Sequence, residues 1–448
     1  MNLRRMPLMD AASLQLEGRN MPMHVAALMT FEYPSSCTPT KRKRFISELI
    51  ARWRQEPRVF YPWNQVLTRP TRWQLTPATR EVYDLDLEYH LRHWSLPAPG
   101  DERELGQMIA WIHEQPMDLQ QPLWECHFID GLAGNRFALY VKIHHALVDG
   151  ISGTRLVVQG LAAGPDALST PLWARELPAE ALQSAKAEWP TLGDLKAAAG
   201  AFVKLRRRSD QLTTFKSTPE TILNGPLTAH RRVATQHIAM DRIKTLAKAS
   251  GSTVNDVAMA MVGGALRDYL SQADALPEAS LTAALPVSTR KSGDHSIGNQ
   301  VSIMLGSLGT NVADPVERLE YIKAFTRAGK SLVQDLPKNA VLPYSLMTSG
   351  PFLAAVVMGR AGDSRPAFNT VLSNVPGERE ARYLDGAKLL HVYPVSLIMP
   401  GVPLNFTCTS HGDFLNFGIV ACRARVPRVQ RLAVGLTTAF EALEKAVL

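Results

Sequence analysis

The stretch RFALYVKI, residues 136–143, is nearly all apolar and runs into two adjacent histidines, His144 and His145. A run of that length and composition predicts a strand buried on both faces, so the fold must cover it on either side. Before it stands PLWECHFIDGL, residues 122–132, and between the two runs lies the turn signal Ala133-Gly134-Asn135. The unit reads as strand, turn, strand. After HHALVDG comes ISGTRLVVQGLAAG, in which Ile151, Leu156, Val157 and Leu161 keep rough helical spacing and Gly160 and Gly164 offer stopping points. The histidines therefore sit where a buried strand gives way to a helix.

The rest of the chain alternates irregularly. RRVATQHIAM, from residue 231, predicts a strand, and DRIKTLAKASG a short helix stopped at Gly251. In STVNDVAMAMVGGALRDYL, residues 252–270, Val257, Ala258, Met261, Val262, Ala265, Leu266, Tyr269 and Leu270 form one helical stripe, with Thr253 as cap and Asp256 in the first turn. Strands are expected at 280–290, 299–309, 369–377 and 388–399. A hairpin is expected over 403–423 across His411-Gly412-Asp413, and a last helix from about 427. Residues 165–225 show Ala-rich helical patches and no strong strand signal. A chain of 448 residues is natural for two domains. We expect an α+β (mixed α/β) fold, with mixed sheets and covering helices rather than a doubly wound parallel sheet. Its parts would be an N-terminal domain over 1–180, a partly helical crossover over 181–228 and a C-terminal domain over 229–448.

Composition narrows the function classes. Apolar residues make up 46% and charged residues 20%, as in a soluble globular protein. The richest apolar piece, SGPFLAAVVMG (349–359), is too short to span a bilayer. No cleavable signal is visible at the N-terminus, so a cytoplasmic protein is expected. Cys37, Cys126, Cys408 and Cys422 lack CxxC spacing and are expected to be packing residues. Part of the +8 net charge is concentrated in KRKR (41–44) and KLRRR (204–208). Such clusters meet nucleic acid, anionic lipid or an acidic substrate, or form a solvated face. No nucleic-acid module surrounds them. In KRKRFISELIARWRQEP, Phe45, Ile46, Leu49, Ile50 and Trp53 form a stripe that either faces the core or lies on a membrane.

Four readings of His144, His145 and Asp149 compete. Buried histidines can be structural, but two in a row followed by Asp-Gly are costly to bury without partners. Adjacent strand residues point to opposite faces, so the pair cannot easily ligate one metal ion, and no HExxH supports one. No GxSxG elbow supplies a nucleophile for a Ser/His/Asp triad. In the fourth reading one histidine is a general base that takes a proton from a bound hydroxyl as its oxygen attacks a carbonyl, then returns it to the leaving group. Asp149 would hold the loop, and Gly150 would permit the tight turn that follows.

HHxxxDG resembles the signature of acyl-CoA-dependent acyltransferases related to chloramphenicol acetyltransferase and to peptide-synthetase condensation domains. PMHVAAL (22–28), PLW (122–124), HHALVDG, TVNDVAMAMVGGALRDYL, PVSTR (286–290) with GN (298–299), and LSNVPG (372–377) follow one another in the order seen in bacterial wax ester synthase/diacylglycerol acyltransferases. The resemblance implies two chloramphenicol-acetyltransferase-like domains with a tunnel between them. Acyl-CoA would enter from one side, and a fatty alcohol or diacylglycerol from the other. CoA is then a cosubstrate and no metal or prosthetic group is called for. The resemblance makes His145 the base, with His144 supporting it and Asp149 structural. Pro122, Leu123 and Trp124 would shape a substrate pocket or simply fill strand core. Asn255 and Asp256 would bind substrate or only cap their helix. Ser373 and Asn374 would donate to the oxyanion or the thioester arm. The chain departs from the family after SNVPG, where ERE (378–380) replaces a proline and an apolar segment. Peripheral contact with the inner membrane or lipid inclusions follows from such substrates. A condensation-type enzyme charged by a carrier protein would share HHxxxDG, but PLW, ND and SNVPG count against it. The intact motif disfavours a non-catalytic lipid-droplet binding protein.

Overall fold

The structure, a computed structural model, describes residues 3–69, 77–148, 150–177, 190–207, 218–288, 301–334, 336–363 and 365–448. The first part of the chain forms β1 (Leu3–Arg5), α1 (Leu8–Leu16), β2 (His24–Glu32), α2 (Pro39–Arg54), β3 (Gln65–Leu67), β4 (Ala78–Glu81), α3 (Leu87–His90), β5 (Leu91–Ser95), α4 (Glu102–Glu114), β6 (Trp124–Leu132), β7 (Arg136–His144) and α5 (Gly150–Gln159). Then come α6 (Leu192–Arg207), β8 (Arg231–Ala239), α7 (Met240–Ala249), α8 (Val254–Ser271), β9 (Thr282–Ser288), β10 (Val301–Ser307), α9 (Pro315–Gln334) and α10 (Val341–Val357). The last elements are β11 (Thr370–Val375), β12 (Tyr383–Leu384), β13 (Ala387–Val395), β14 (Leu404–His411), β15 (Phe414–Cys422) and α11 (Val429–Val447).

Two six-stranded mixed sheets carry the molecule, ordered β12-β13-β2-β7-β6-β5 and β10-β9-β11-β14-β15-β8. The expected mixed sheets with covering helices are borne out. The two sheets are not contiguous in sequence, however. β12 and β13, from residues 383–395, pair beside β2 and complete the first sheet. Two strands leave the second half of the chain to finish the first sheet, and single-sequence periodicity carries no sign of that exchange. Where β13 crosses the second sheet, a Cβ on Gly418 would lie 1.7 Å from Pro394 O, so only glycine fits that approach.

The predicted β6–β7 hairpin closes at Gly134 and Asn135, both at positive φ. β7 is buried on both faces, as its composition requires. On one side α2 packs Ile46, Leu49, Ile50 and Trp53 against Phe128, Phe137 and Val141, so its stripe faces the core. α8 is capped by Thr253 and Asp256 as expected, and every stripe residue except Tyr269 is buried. All four cysteines are buried and unpaired.

The other face of the first sheet holds a buried polar layer beneath α4. Lys142 is fully buried and donates from Nζ to Gln115 O at 2.6 Å and Glu125 Oε2 at 3.4 Å. His127 Nε2 donates to Glu125 at 3.0 Å, and Tyr89 Oη at 3.1 Å. Burial alone would raise the Glu125 pKa, but the His127 hydrogen bond and the Lys142 charge bring it down to about 2. His24 Nε2 donates to His113 O at 2.7 Å, and His113 meets Tyr140 Oη and Ser396 O. Burial, then the Lys142 charge, lowers the pKa of both imidazoles, His113 to about 3.

Stability should therefore fall in mild acid. The folded pKa values of His24 and His113 lie below the ordinary 6.5, so the unfolded chain binds the extra protons as the pH drops. Their contribution is complete above about pH 6.5 and declines below it by roughly 1.4 kcal/mol per pH unit for each imidazole. Urea unfolding between pH 5 and pH 8 should show that slope, and His113→Gln should flatten it whatever it does to absolute stability. An unchanged slope would refute the assignment.

Candidate active site

β7 ends between its two neighbours, and backbone hydrogen bonds hang the following turn from both. His144 N–H donates to Leu123 O at 2.9 Å, at the start of β6, and His145 N–H donates to Met23 O at 2.8 Å, at the start of β2. The side chains then diverge, as the strand geometry predicts. His144 is fully buried, and its Nδ1 accepts Ala146 N–H at 3.0 Å. A backbone N–H can only donate, so the ring proton of neutral His144 belongs on Nε2. Nε2 lies 3.6 Å from Glu17 Oε2, and the same carboxylate accepts Met23 N–H at 3.4 Å.

His145 instead lines a cavity of about 270 Å³ between the two halves of the molecule. Gly150 and Thr154 of α5 share its wall, and the second half contributes Ser373, Asn405 and Thr407. Most of the remaining lining is apolar, including Val25, Phe368, Val371 and Leu397. Asn405 Nδ2 donates to Leu397 O at 3.0 Å and Thr407 Oγ1 to Asn405 Oδ1 at 2.8 Å, so those two polar groups hold each other in place. A second cleft, of about 850 Å³, is lined by Asn374, Pro376, Lys244 and Arg379, with Asp241 and Asp413. Cavity and cleft flank the same strand end: Ser373 and Val375 face one, Asn374 and Pro376 the other.

Of the residues singled out in the sequence, the structure brings His145, Gly150 and Ser373 together. Asn374 does not join them, because neighbours on a strand face opposite sides. Gly150 begins α5, and a Cβ there would meet nothing within 4 Å, so its lack of a side chain leaves cavity space open. The turn expected of it involves Asp149, outside the described residues. Pro122, Leu123 and Trp124 are buried behind the histidine turn rather than on the cavity. Trp124 stacks on His90 at 4.0 Å and donates to Trp63 O at 2.9 Å, while Leu123 supplies the carbonyl that holds His144.

Asp256 accepts from Thr253 N–H at 2.9 Å, Thr253 Oγ1 at 2.7 Å and Thr326 Oγ1 at 2.7 Å, tying α8 to α9. Asn255 reaches Met259 Sδ at 3.7 Å. Neither residue lines the cavity. Asp149 lies outside the described residues, as do residues 289–300 with the end of the PVSTR element and Gly298-Asn299. Thr154, Asn405 and Thr407 escaped sequence reasoning. A signal for the last two was present, because Asn405, Thr407 and Thr409 alternate with apolar residues and so share one strand face. Among the described residues no cluster of His, Cys, Asp or Glu could hold a metal ion.

Comparison with known proteins fits this geometry. Residues 6–258 match the model of the wax ester synthase/diacylglycerol acyltransferase catalytic domain, and residues 297–444 the C-terminal domain model of the same family. The O-acyltransferase WSD of Acinetobacter baylyi is 34% identical over 98% of this chain and 96% of its own. A Mycobacterium tuberculosis chain provisionally named a diacylglycerol O-acyltransferase is 37% identical over 98% and 99%. The solved wax ester synthase/diacylglycerol acyltransferase of Marinobacter aquaeolei VT8 superimposes with a TM-score of 0.79 at 33% identity, covering 99% of this chain and 100% of that one. The expected two-domain acyltransferase fold is borne out.

Two substitutions separate support from site. Asp256→Ala leaves buried donors unmatched and should cost about 2 kcal/mol of stability, read as a lower urea midpoint, with turnover per folded molecule retained. Gly150→Leu projects into the cavity, so thermal stability should hold while turnover of a long-chain substrate falls at least tenfold.

Proposed function

The chain belongs to the wax ester synthase/diacylglycerol acyltransferase family, and on that premise we propose that it moves a fatty acyl group from acyl-CoA to the hydroxyl of a diacylglycerol or long-chain alcohol. The products are triacylglycerol or a wax ester. The observation that carries this is the setting of His145: an imidazole held by a fixed turn, facing a mostly apolar cavity with a hydroxyl from the opposite sheet. His145 takes the proton of the acceptor hydroxyl as its oxygen attacks the thioester carbonyl, forming the new C–O bond. The tetrahedral oxyanion collapses, the C–S bond breaks, and the proton passes from the imidazole to the departing thiolate. Transfer is direct, and no acyl-enzyme forms. His144 supports the turn.

Ser373 is the candidate donor to the oxyanion, since its strand faces it into the His145 cavity. Asn374, Lys244 and Arg379 are the candidates for the CoA arm and its phosphates, on the far side of the same strand end. Cavity and cleft would then be two arms of the tunnel. Acceptors of this kind barely dissolve in water, so the protein would meet them at the surface of the inner membrane or of lipid inclusions.

The test is CoA release from palmitoyl-CoA, followed with a thiol reagent, with hexadecanol and dipalmitoylglycerol as parallel acceptors. His145→Ala should lose roughly 10²- to 10⁴-fold, Ser373→Ala about 10²-fold, and His144→Ala should keep part of the activity. Equal rates in wild type and His145→Ala would end the mechanism.

A further inference from the structure

α10 carries no charged residue from Val341 to Val357, yet one side of it faces solvent. Its outer stripe is Leu346, Leu353 and Val357, with Met347 beside it and Met358 just beyond the helix; Val357 is 72% exposed and Leu346 55%. Stripes on soluble helices normally alternate with charge, and a contiguous apolar face marks an interaction site. No helix among the described residues is long and apolar enough to cross a membrane, so such a face would lie on a lipid surface rather than span it.

Three further observations choose the partner. α6 packs on α10 through Ala198, Ala201 and Tyr344. Along its length α6 has Lys196, Lys204, Arg206 and Arg207 against one acidic residue, Asp194, and both lysines are exposed beside exposed Leu195 and Val203. An apolar face on one helix, with exposed lysines on the helix packed against it, matches an anionic lipid surface. The inner side of α10 points to the same partner. Phe352 and Val356 are buried in a cluster with Ala284, Phe368 and Met399, which also wall the His145 cavity. One helix therefore has solvent-facing apolar side chains on one side and the cavity wall on the other.

We propose that α10, with α6 beside it, seats the protein on an anionic membrane surface and that the apolar acceptor passes from that surface toward His145. The route rests on the acyltransferase reading above; the docking does not. The KRKR cluster on α2 has no such task, because the apolar stripe of that helix is spent on its own core.

The experiment measures partition of the full chain onto vesicles of phosphatidylcholine, alone or mixed with phosphatidylglycerol, beside CoA release from palmitoyl-CoA. Wild type should favour the mixed vesicles. The triple substitution Leu346→Glu, Leu353→Glu, Val357→Glu should cut partition at least tenfold with an unchanged melting curve, since all three positions are exposed. It should leave turnover of detergent-dispersed hexadecanol unchanged and lower turnover of vesicle-borne hexadecanol. Lys196→Glu with Lys204→Glu should weaken binding to mixed vesicles about fivefold or more and spare the little binding to phosphatidylcholine. Wild-type partition by the triple variant would overturn the docking. So would a wild-type dimer that the triple substitution dissociates while neither form binds vesicles, because a second copy would then cover the face. His145→Ala should partition as wild type does. If partition depends on α10 while no protein releases CoA, the docking stands and the acyltransferase reading alone falls.

Discussion

Everything proposed for His145 depends on the turn that holds it. The turn hangs from Leu123 O on one side and Met23 O on the other, and the His144 ring closes it by accepting Ala146 N–H. Three segments distant in sequence meet at these bonds, so the imidazole is placed before any substrate arrives. A base that must reach a hydroxyl to within hydrogen-bond distance gains most from such fixing. The layer beneath reinforces it: Lys142, two residues earlier on β7, ties the end of α4 to the sheet through Gln115 O and Ile112 O. A buried ammonium is costly alone, and Glu125 with its own partners offsets that cost.

The second requirement is the opposing wall. Ser373 and His145 are separated by more than half the chain, and they share a cavity because the first sheet meets the second through β13 and the covering helix α4. β13 belongs to the first sheet by hydrogen bonding and touches β14 and β15 of the second. It therefore couples the halves mechanically. Strand alternation then divides β11 between two environments, with Ser373 on the apolar cavity that His145 lines and Asn374 on the larger, charged cleft. A chemistry that joins an apolar acceptor to a nucleotide-bearing thioester needs two such environments on either side of one reacting point.

Charge is placed with the same economy. The two basic clusters look alike in the sequence, but α2 buries its apolar residues against Phe128 and Phe137, while α6 lies against a helix whose apolar residues remain outside. Neighbours, not composition, separate a solvated face from a docking face.

Much of this was legible in the sequence. The β6–β7 hairpin, the burial of β7, the capped α8 and the divergence of the two histidines follow from local rules: side-chain periodicity, turn chemistry and caps. Those rules act over a few residues, so one chain suffices to read them. The order of motifs from PLW to SNVPG was enough to point to the family. What only the tertiary structure decided involves distance. No periodicity could show that β13 would complete the first sheet, or that Asp256 would use both carboxylate oxygens to bind Thr253 and Thr326. Nor could it show that Gly150 would border open space, or that α10 would keep an apolar face in solvent. Each of these depends on which surfaces meet, and that is settled by packing across the whole chain rather than by the identity of adjacent residues.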